Sequence, residues 1–511
     1  KSISPADYRN PLQFFLDYQA VKLLSKYPYL ETGIDRKRNA IDKFLEAEVQ
    51  CSHTNARLLS WNSSGSAFIP TRGVNEVFHL ARRKIASILG DVPSFEQLDY
   101  RFGPGASFGV RGDTSVFRKL TQPLECTFAF TPHLEEFLQE FPGWIPEGSH
   151  KVELCAGSEL TFVPKDAKTD RPICIEPTVN GLYQKGVGSY IRQRLGHWGV
   201  NLRDQGVNQE LARRAFSDGL CTVDFASASD TIAYMLVLEL LPLPWVEFLD
   251  VARSPSYYID GNWYDFHKFT SMGNAYTFEL ETLIFYALAI AACEVGKTPY
   301  ETGVNLHVYG DDVVIPRAAF DLFSEVSTFA GFTINQAKSF TSGVFYESCG
   351  TDWYEGYNVR PYLLKKRTSS LQEMYYVSNV TLRIAERIAA LSDSHGSGLD
   401  RRRVDSIRDT HAWCVGCIPR SRRLLVPQGA GDVGLHCDFD VAVPSRHEQW
   451  DGWWYRGLSP VPQRVVQPFP VSYALYHAGS GTDRGWWDDS EKLQHSLGYT
   501  IRNDEQRRFK V

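Results

Sequence analysis

Asn305-Leu306-His307-Val308-Tyr309-Gly310-Asp311-Asp312-Val313-Val314-Ile315-Pro316 is the stretch that decides the fold. Two short apolar runs rich in strand-favouring residues flank Gly-Asp, which predicts a strand, a tight turn and a returning strand. Pro316 has no amide proton for a ladder and ends the second strand. Asp311 and Asp312 then sit at the tip of a β-hairpin. Adjacent ionised carboxylates repel unless a cation neutralises them, and oxygen ligands at a turn suit Mg²⁺ or Mn²⁺. Gly-Asp is also ordinary turn chemistry, in which the pair is merely solvated. Flanks this apolar belong in a core, an odd place for two spare charges. A metal site still requires a third carboxylate on a neighbouring strand.

That carboxylate is expected at Asp224. Leu220-Cys221-Thr222-Val223 reads as a strand ending there. Phe225-Ala226-Ser227-Ala228-Ser229-Asp230 follows, then a helix near Thr231 capped by Ser229 or Asp230. Between the two acidic elements, Ser271-Met272-Gly273-Asn274-Ala275-Tyr276-Thr277 feeds a helix from Phe278 to about Val295. A small-residue loop at a helix N-terminus can meet a substrate's polar groups; the alternative is a plain cap by Asn274 or Thr277. Upstream, Lys165, Lys168 and Arg171 occupy a Pro-bounded segment read as an extended cationic strand, suited to a triphosphate. A surface strand salt-bridged through Asp166 and Asp170 explains it equally well.

The 511 residues suffice for a large core in two or three subdomains. Thirty Phe, 25 Tyr and 12 Trp argue against disorder. Fifty-four basic and 60 acidic residues leave a net charge of −6, so nucleic-acid binding must rest on local basic patches. Ten scattered Cys do not resemble a secreted disulfide framework. The apolar run from Leu280 to Val295 contains Glu281 and is too short to span a bilayer. The opening Lys1-Ser2-Ile3-Ser4 has no signal-peptide character, which leads to the expectation of a soluble protein in a reducing cytoplasm.

Residues 1 to about 90 read as helical, with apolar faces from Phe14, Leu16, Val21, Leu23 and Leu24 and from Ile41, Phe44 and Leu45. The clusters Arg36-Lys37-Arg38 and Arg82-Arg83-Lys84 read as solvated helix faces. Phe102 to Gly109 is Gly-rich but lacks the Gly-Lys-Ser/Thr of a Walker loop. A helix from Ala318 to Ala330, Lys338 and the strand-turn Phe345-Tyr346-Glu347-Ser348-Cys349-Gly350 follow the hairpin. From about 370 the chain is helical, with Ile384, Ala385, Ile388 and Leu391 on one face, and then irregular. Trp453-Trp454 and Trp486-Trp487 read as core or loop anchors rather than base-stacking platforms. Cys414 and Cys417 form a CxxC near His411, His436 and Cys437, but a second CxxC for a zinc site is missing.

Taken in order, these motifs resemble the replicase β-subunit of the positive-strand RNA bacteriophages, the levivirus group. Val163-Pro164-Lys165, Lys168-Thr169-Asp170-Arg171, Asp224 with Ser227 to Asp230, Met272-Gly273-Asn274 with Thr277 to Glu281, Tyr309 to Asp312 and Glu347 to Gly350 carry the resemblance, over roughly residues 160 to 367. It implies an α+β right-hand polymerase with fingers, a palm of antiparallel sheet and helices, and a thumb. The expected divisions are a helical N-terminal region (1–99), fingers with the cationic strand (100–215), palm (216–367), and thumb with C-terminal region (368–511). The implied activity is RNA-directed RNA synthesis, starting without a primer. Two Mg²⁺ (or Mn²⁺) roughly 3.5–4 Å apart would be held by Asp224 and Asp311, with Asp312 as the weaker ligand. Lys165, Lys168 and Arg171 would bind the triphosphate, Asp230, Ser271, Gly273 and Asn274 the rest of the nucleotide, and Lys338 would protonate the leaving pyrophosphate. Implied partners are single-stranded RNA template and product, NTPs, the host elongation factors Tu and Ts and a ribosomal RNA-binding protein, with no membrane, in the host bacterial cytoplasm. Two positions depart from the pattern: Tyr346 stands where the family has Arg, and Glu281 where many viral polymerases place a sugar-selecting Asn. The competing readings are a reverse transcriptase or other palm polymerase, and a non-catalytic RNA-binding scaffold. Keeping all three acidic positions argues against a scaffold.

Overall fold

The computed structural model describes residues 3–61, 70–112, 114–141, 151–394, 401–442, 445–446, 453–459 and 505–510. Its first part is helical: α1 (Pro11–Lys22), α2 (Arg36–Trp61) and α3 (Arg72–Leu89). Asn10 and Thr71 cap α1 and α3 by accepting amides three residues on. Phe14 and Phe44 are buried as expected, but Val21, Leu24 and Leu45 are exposed, so the apolar faces are narrower than their spacing suggested. The basic clusters are mostly paired at the surface: Arg36 with Asp170, Lys37 with Asp260, Arg38 with Asp42, Arg82 with Glu239 and Lys84 with Glu294.

The short α4 (Val116–Thr121) and α5 (Thr131–Gln139) follow, with β1 (Leu124–Thr127) pairing parallel to β2 (Val152–Cys155). Next comes the cationic segment, which is a hairpin and not one extended strand. It runs β3 (Gly157–Pro164), a turn carrying Lys165 and Lys168, then β4 (Asp170–Ile175) with Arg171. Asp166 makes the turn by accepting the amides of Lys168 and Thr169, the bonding of an Asx-turn. Helices α6 (Thr178–His197) and α7 (Gly206–Asp218) lead to β5 (Leu220–Val223), α8 (Tyr234–Leu240) and α9 (Leu243–Asp250). The helix expected near Thr231 begins only at Tyr234, and neither Ser229 nor Asp230 caps it; both side chains are committed elsewhere. β6 (Ser256–Ile259) and β7 (Asn262–Asp265) extend the first hairpin into the sheet β4-β3-β6-β7.

Helix α10 (Thr277–Val295) is buried along nearly its whole length, which explains its near-absence of a polar face. It packs against α3 and α6, and against α11 (Phe320–Phe329), which shares the core on the same side of the central sheet. That sheet is β5-β9-β8, with β8 (His307–Tyr309) and β9 (Asp312–Pro316) forming the expected hairpin. Side chains alternate across it. Cys221, Val223, Val308, Val313 and Ile315 face the main core with α10. Leu220 and Val314 face the opposite side, against Leu211 and Ala215 of α7 and Tyr346. Burial on both faces is why these strands read as unbroken apolar runs. Beyond them come β10 (Phe345–Ser348), β11 (Thr351–Tyr354) and β12 (Tyr357–Asn358), then α12 (Leu371–Ser394) and α13 (Arg401–Gly416). Ala385, Ile388 and Leu391 of α12 pack on Leu12, Phe14 and Phe15 of α1.

All ten cysteines are free. Among the described residues no three His, Cys, Asp or Glu side chains converge as a ready-made metal cage, at Cys414 and Cys417 or elsewhere. The His411 and His436 rings bond to backbone carbonyls instead of turning toward Cys414 and Cys417. Among the described residues no helix is long and apolar enough to cross a membrane.

Gly157 carries β3 against β6 at a distance no side chain allows, since a Cβ there would lie 1.9 Å from the Ser256 carbonyl oxygen. Gly157→Ala should therefore lower stability by about 1–3 kcal/mol, measured by denaturant unfolding. An unchanged midpoint would show that the pairing is slack.

Candidate active site

The hairpin turn is Gly310-Asp311, between paired Tyr309 and Asp312. Gly310 takes φ +63, and glycine with positive φ at the first central position is the signature of a type II′ turn. A Cβ on Gly310 would lie 2.5 Å from the Phe278 ring, and its amide donates to Thr282 Oγ1 at 3.0 Å. The turn is thus seated on α10.

Val223 pairs with Val313, so Asp224 lies opposite Asp312 just past the end of the ladder. The three aspartates feel one another. Burial, then Asp312 and Asp224, raise the Asp311 pKa from 3.8 to about 6. Burial also raises that of Asp312, against the opposing Cys349 amide. The two neighbours on the tip diverge. Asp312 Oδ1 accepts from the Cys349 amide (3.1 Å) and Ser348 Oγ (3.3 Å), so the Glu-Ser-Cys-Gly turn holds it. Asp311 faces Glu281 of α10, whose pKa burial and then Asp311 push well above the ordinary carboxyl range. Glu281 accepts from Ser229 through Oε2, and its Oε1 has no partner.

Asp224 is flanked by the segment after α11. Phe340 bridges to Thr222 and Ile334 to Phe225. Between them Asn335 donates to Asp224 Oδ2 (2.8 Å), and Lys338 Nζ lies 3.4 Å from Oδ1. Burial lowers the Lys338 pKa, but Asp224 and Glu347 more than offset it. Lys165 approaches from the β3–β4 hairpin: burial, then the Arg171 and Lys338 cations, lower its pKa. Lys26, after α1, feels Lys365, Arg360 and Lys338 in the same way. Among the described residues Lys165, Lys168 and Arg171 hold no ion pair; Asp170 pairs instead with Arg36. The fold therefore brings Asp224, Asp311, Asp312 and Lys338 together, with Lys165 near Lys338 and Arg171 near Lys165; all three cations of the β3–β4 hairpin, Lys168 included, lie at the surface.

Ser271, Gly273 and Asn274 are placed differently. Ser271 and Asn274 are buried. The Asn274 side chain accepts the Tyr276 amide at the helix start, and the Ser271 carbonyl accepts from Thr277. Gly273, at φ +120, lies on the backbone of Cys174, whose amide donates to Met272. Among the described residues none of the three bonds to Asp224, Asp311 or Asp312. Tyr346 points into the core on the sheet's far side, where its hydroxyl accepts from Arg317.

Asn208 escaped sequence reading. This fully buried α7 residue bonds His307 Nδ1 through Oδ1 (2.6 Å), and donates through Nδ2 to the Asp312 carbonyl (2.9 Å) and Ser348 Oγ (3.2 Å). It ties both hairpin strands to the turn that holds Asp312. A buried amide on a helix gives no sequence signal beyond its polarity.

An antiparallel sheet with paired carboxylates at its hairpin tip is the arrangement of the palm of a right-hand nucleic-acid polymerase. The RNA replicase β-chain family matches residues 3–393, and the chain belongs to that family. It is an RNA-directed RNA polymerase of the RNA phages. It is 37% identical over 445 residues to the RNA-directed RNA polymerase subunit β of Escherichia virus Qbeta, covering 85% of this chain and 71% of that one. It is 32% identical over 378 residues to the corresponding chain of Escherichia phage MS2, covering 71% and 67%. The RNA-dependent RNA polymerase of a human picorbirnavirus overlays at a TM-score of 0.38 with 14% identity, covering 75% of each chain, too loosely to carry weight.

Asp311→Asn should abolish nucleotide incorporation and leave the fold intact. A carboxyl whose pKa is higher folded than unfolded costs stability when ionised, fully above about pH 6 and not at all below its unfolded value. The metal-free variant should therefore gain up to about 3 kcal/mol at pH 7 to 8, a gain that fades as pH falls below 6. Near-normal synthesis by the folded variant would sink the assignment. Asn208→Ala should cost about 1–3 kcal/mol for the partners it strands and lower kcat with little change in nucleotide KM; wild-type kcat would exclude a role in holding Asp312.

Proposed function

We propose that the chain copies a positive-strand RNA phage genome by template-directed nucleotidyl transfer assisted by two divalent cations, starting without a primer. The observation that carries this is the gathering of Asp224, Asp311 and Asp312 at one end of the central sheet, with Lys338 on Asp224 and Lys165 close enough to Lys338 for their charges to interact. The carboxylates fit a divalent cation: they are half-buried, mutually repelling oxygen donors, and Mg²⁺ usually takes only one or two carboxylates beside substrate phosphates. Asp224 and Asp311 would hold the ions and Asp312 would support them. Bound there, Mg²⁺ or Mn²⁺ supplies the lowered pKa of the attacking 3′-hydroxyl and the neutralisation of the departing pyrophosphate.

The chain's own groups do the rest. Lys165 and Arg171 bind the triphosphate, with Lys168 at the edge. Lys338, beside Asp224, would donate a proton to the leaving pyrophosphate. Asp230 reads the ribose, above a loop shaped by Ser271, Gly273 and Asn274. Fingers (100–215), palm (216–367) and thumb with C-terminal region (368–511) follow a helical N-terminal region (1–99). Partners are RNA template and product, NTPs, elongation factors Tu and Ts and a ribosomal RNA-binding protein, in the host bacterial cytoplasm.

Unprimed initiation needs a surface under the first base pair, and an aromatic ring supplies about 1–3 kcal/mol per stacked base. One aromatic of the C-terminal region serves this purpose in the proposal. Trp486-Trp487 and the side chains of Trp453-Trp454 lie outside the described residues.

The decisive experiment is incorporation of labelled ribonucleotides on a defined RNA template, with and without Mg²⁺. Metal-independent incorporation, or a preference for deoxyribonucleotides, would overturn the reading. Lys165→Ala and Arg171→Ala should each raise nucleotide KM by roughly one to two decades, the loss of a charge-assisted contact worth about 1.5–3 kcal/mol, and Lys168→Ala should do less. Unchanged KM with lower thermal stability would make the cations structural.

A further inference from the structure

Asp230 is gripped from behind by a residue that no motif marked. Lys268 follows β7 and its side chain is wholly buried. Its Nζ donates to Asp230 Oδ1 at 3.0 Å. Glu48 of α2 places Oε1 3.1 Å from the same nitrogen but off the hydrogen-bonding directions, so charge alone links them. The Phe44 ring lies 3.7 Å from Nζ and the Phe266 ring 5.4 Å. One face of α2 grips the whole arrangement. Glu48 Oε2 accepts the His267 amide (2.7 Å), Cys51 Sγ donates to the Asp230 carbonyl (3.5 Å), and Asn55 bonds the His267 carbonyl and the Met235 amide (2.8 Å each).

A buried ion pair is a poor way to gain stability, because apolar side chains of similar volume do as well. What it provides is a fixed direction. The ammonium stays charged: burial lowers its pKa, and Asp230 and Glu48 more than reverse this. With one oxygen on Lys268, Asp230 cannot swing freely.

We propose that Lys268, backed by Glu48, is a positioning residue that fixes the Asp230 carboxylate to accept the 2′-hydroxyl of the incoming ribonucleotide. Sugar discrimination then depends on a contact with the N-terminal helix α2, remote in sequence from the palm. The inference rests on the reading of Asp230 as the ribose contact. A site that hydrogen-bonds a hydroxyl rejects the analogue lacking it only while the acceptor is held in place.

The test compares kcat/KM for a ribonucleoside triphosphate and its 2′-deoxy counterpart, using the full chain in its active complex on a primed template. Lys268→Arg keeps the charge but puts a planar fork into a slot shaped for an ammonium. The ribo-to-deoxy ratio should fall about tenfold or more, the scale of one charge-assisted hydrogen bond, mainly through a higher ribonucleotide KM. A folded, extending Lys268→Arg enzyme with the wild-type ratio overturns the proposal. Should that variant not fold, Phe44→Leu withdraws the ring beneath Nζ and should also lower the ratio; an unchanged ratio there overturns the proposal equally. Asp230→Asn separates the two layers. If it leaves the ratio intact, the ribose reading itself has failed. If it lowers the ratio while Lys268→Arg does not, only the positioning role has failed.

Discussion

The active site depends on the contact between Gly310 and α10. The turn amide donates to Thr282, and the Phe278 ring fills the space a side chain would take. This sets where the hairpin tip stands, and so where Asp311 and Asp312 present their carboxylates. The contact holds only if α10 does not move. Buried along nearly its whole length, that helix is fixed by α3, α6, α11 and the central sheet together. A large core is the precondition for placing two charges accurately.

Charge is arranged against this background. A chain of net charge −6 sets Lys338 against three half-buried aspartates, with Lys165 and Lys26 each near Lys338 and Arg171 near Lys165. The negative groups come from the palm sheet, the positive ones from three separated segments. Lys338 partly neutralises Asp224, which keeps the cluster tolerable without a bound cation.

Period-2 patterning and turn chemistry made the hairpin legible, because Gly-Asp between apolar runs admits few other conformations. Asp224 was legible as a strand end for the same reason. The β3–β4 hairpin was misread as one strand because Asp166, read as an ion-pair partner in a cationic strand, instead makes the turn by a local side-chain bond. The helix after Asp230 was started early because Ser229 and Asp230 look like caps, whereas Glu281 and Lys268 claim them across the fold. Asn208 and Lys268 were invisible: each works through partners dozens to hundreds of residues away, and no local pattern marks such a residue. At 346, where the resemblance led to Arg, the Tyr side chain faces the core and Arg317 supplies its polar partner.

The clasp of α1 on the far end of the palm bears on how the molecule is made. Gln19 and Tyr362 exchange two backbone-to-side-chain bonds across 343 residues, and the Tyr354 hydroxyl reaches back to the Tyr8 carbonyl. On a ribosome the early helix must wait for most of the palm before its docking surface exists. Vectorial synthesis therefore leaves α1 and the Lys26 cation unplaced until β11 and β12 emerge. A chain halted before this stretch therefore carries its hairpin aspartates without the Lys26 cation in place.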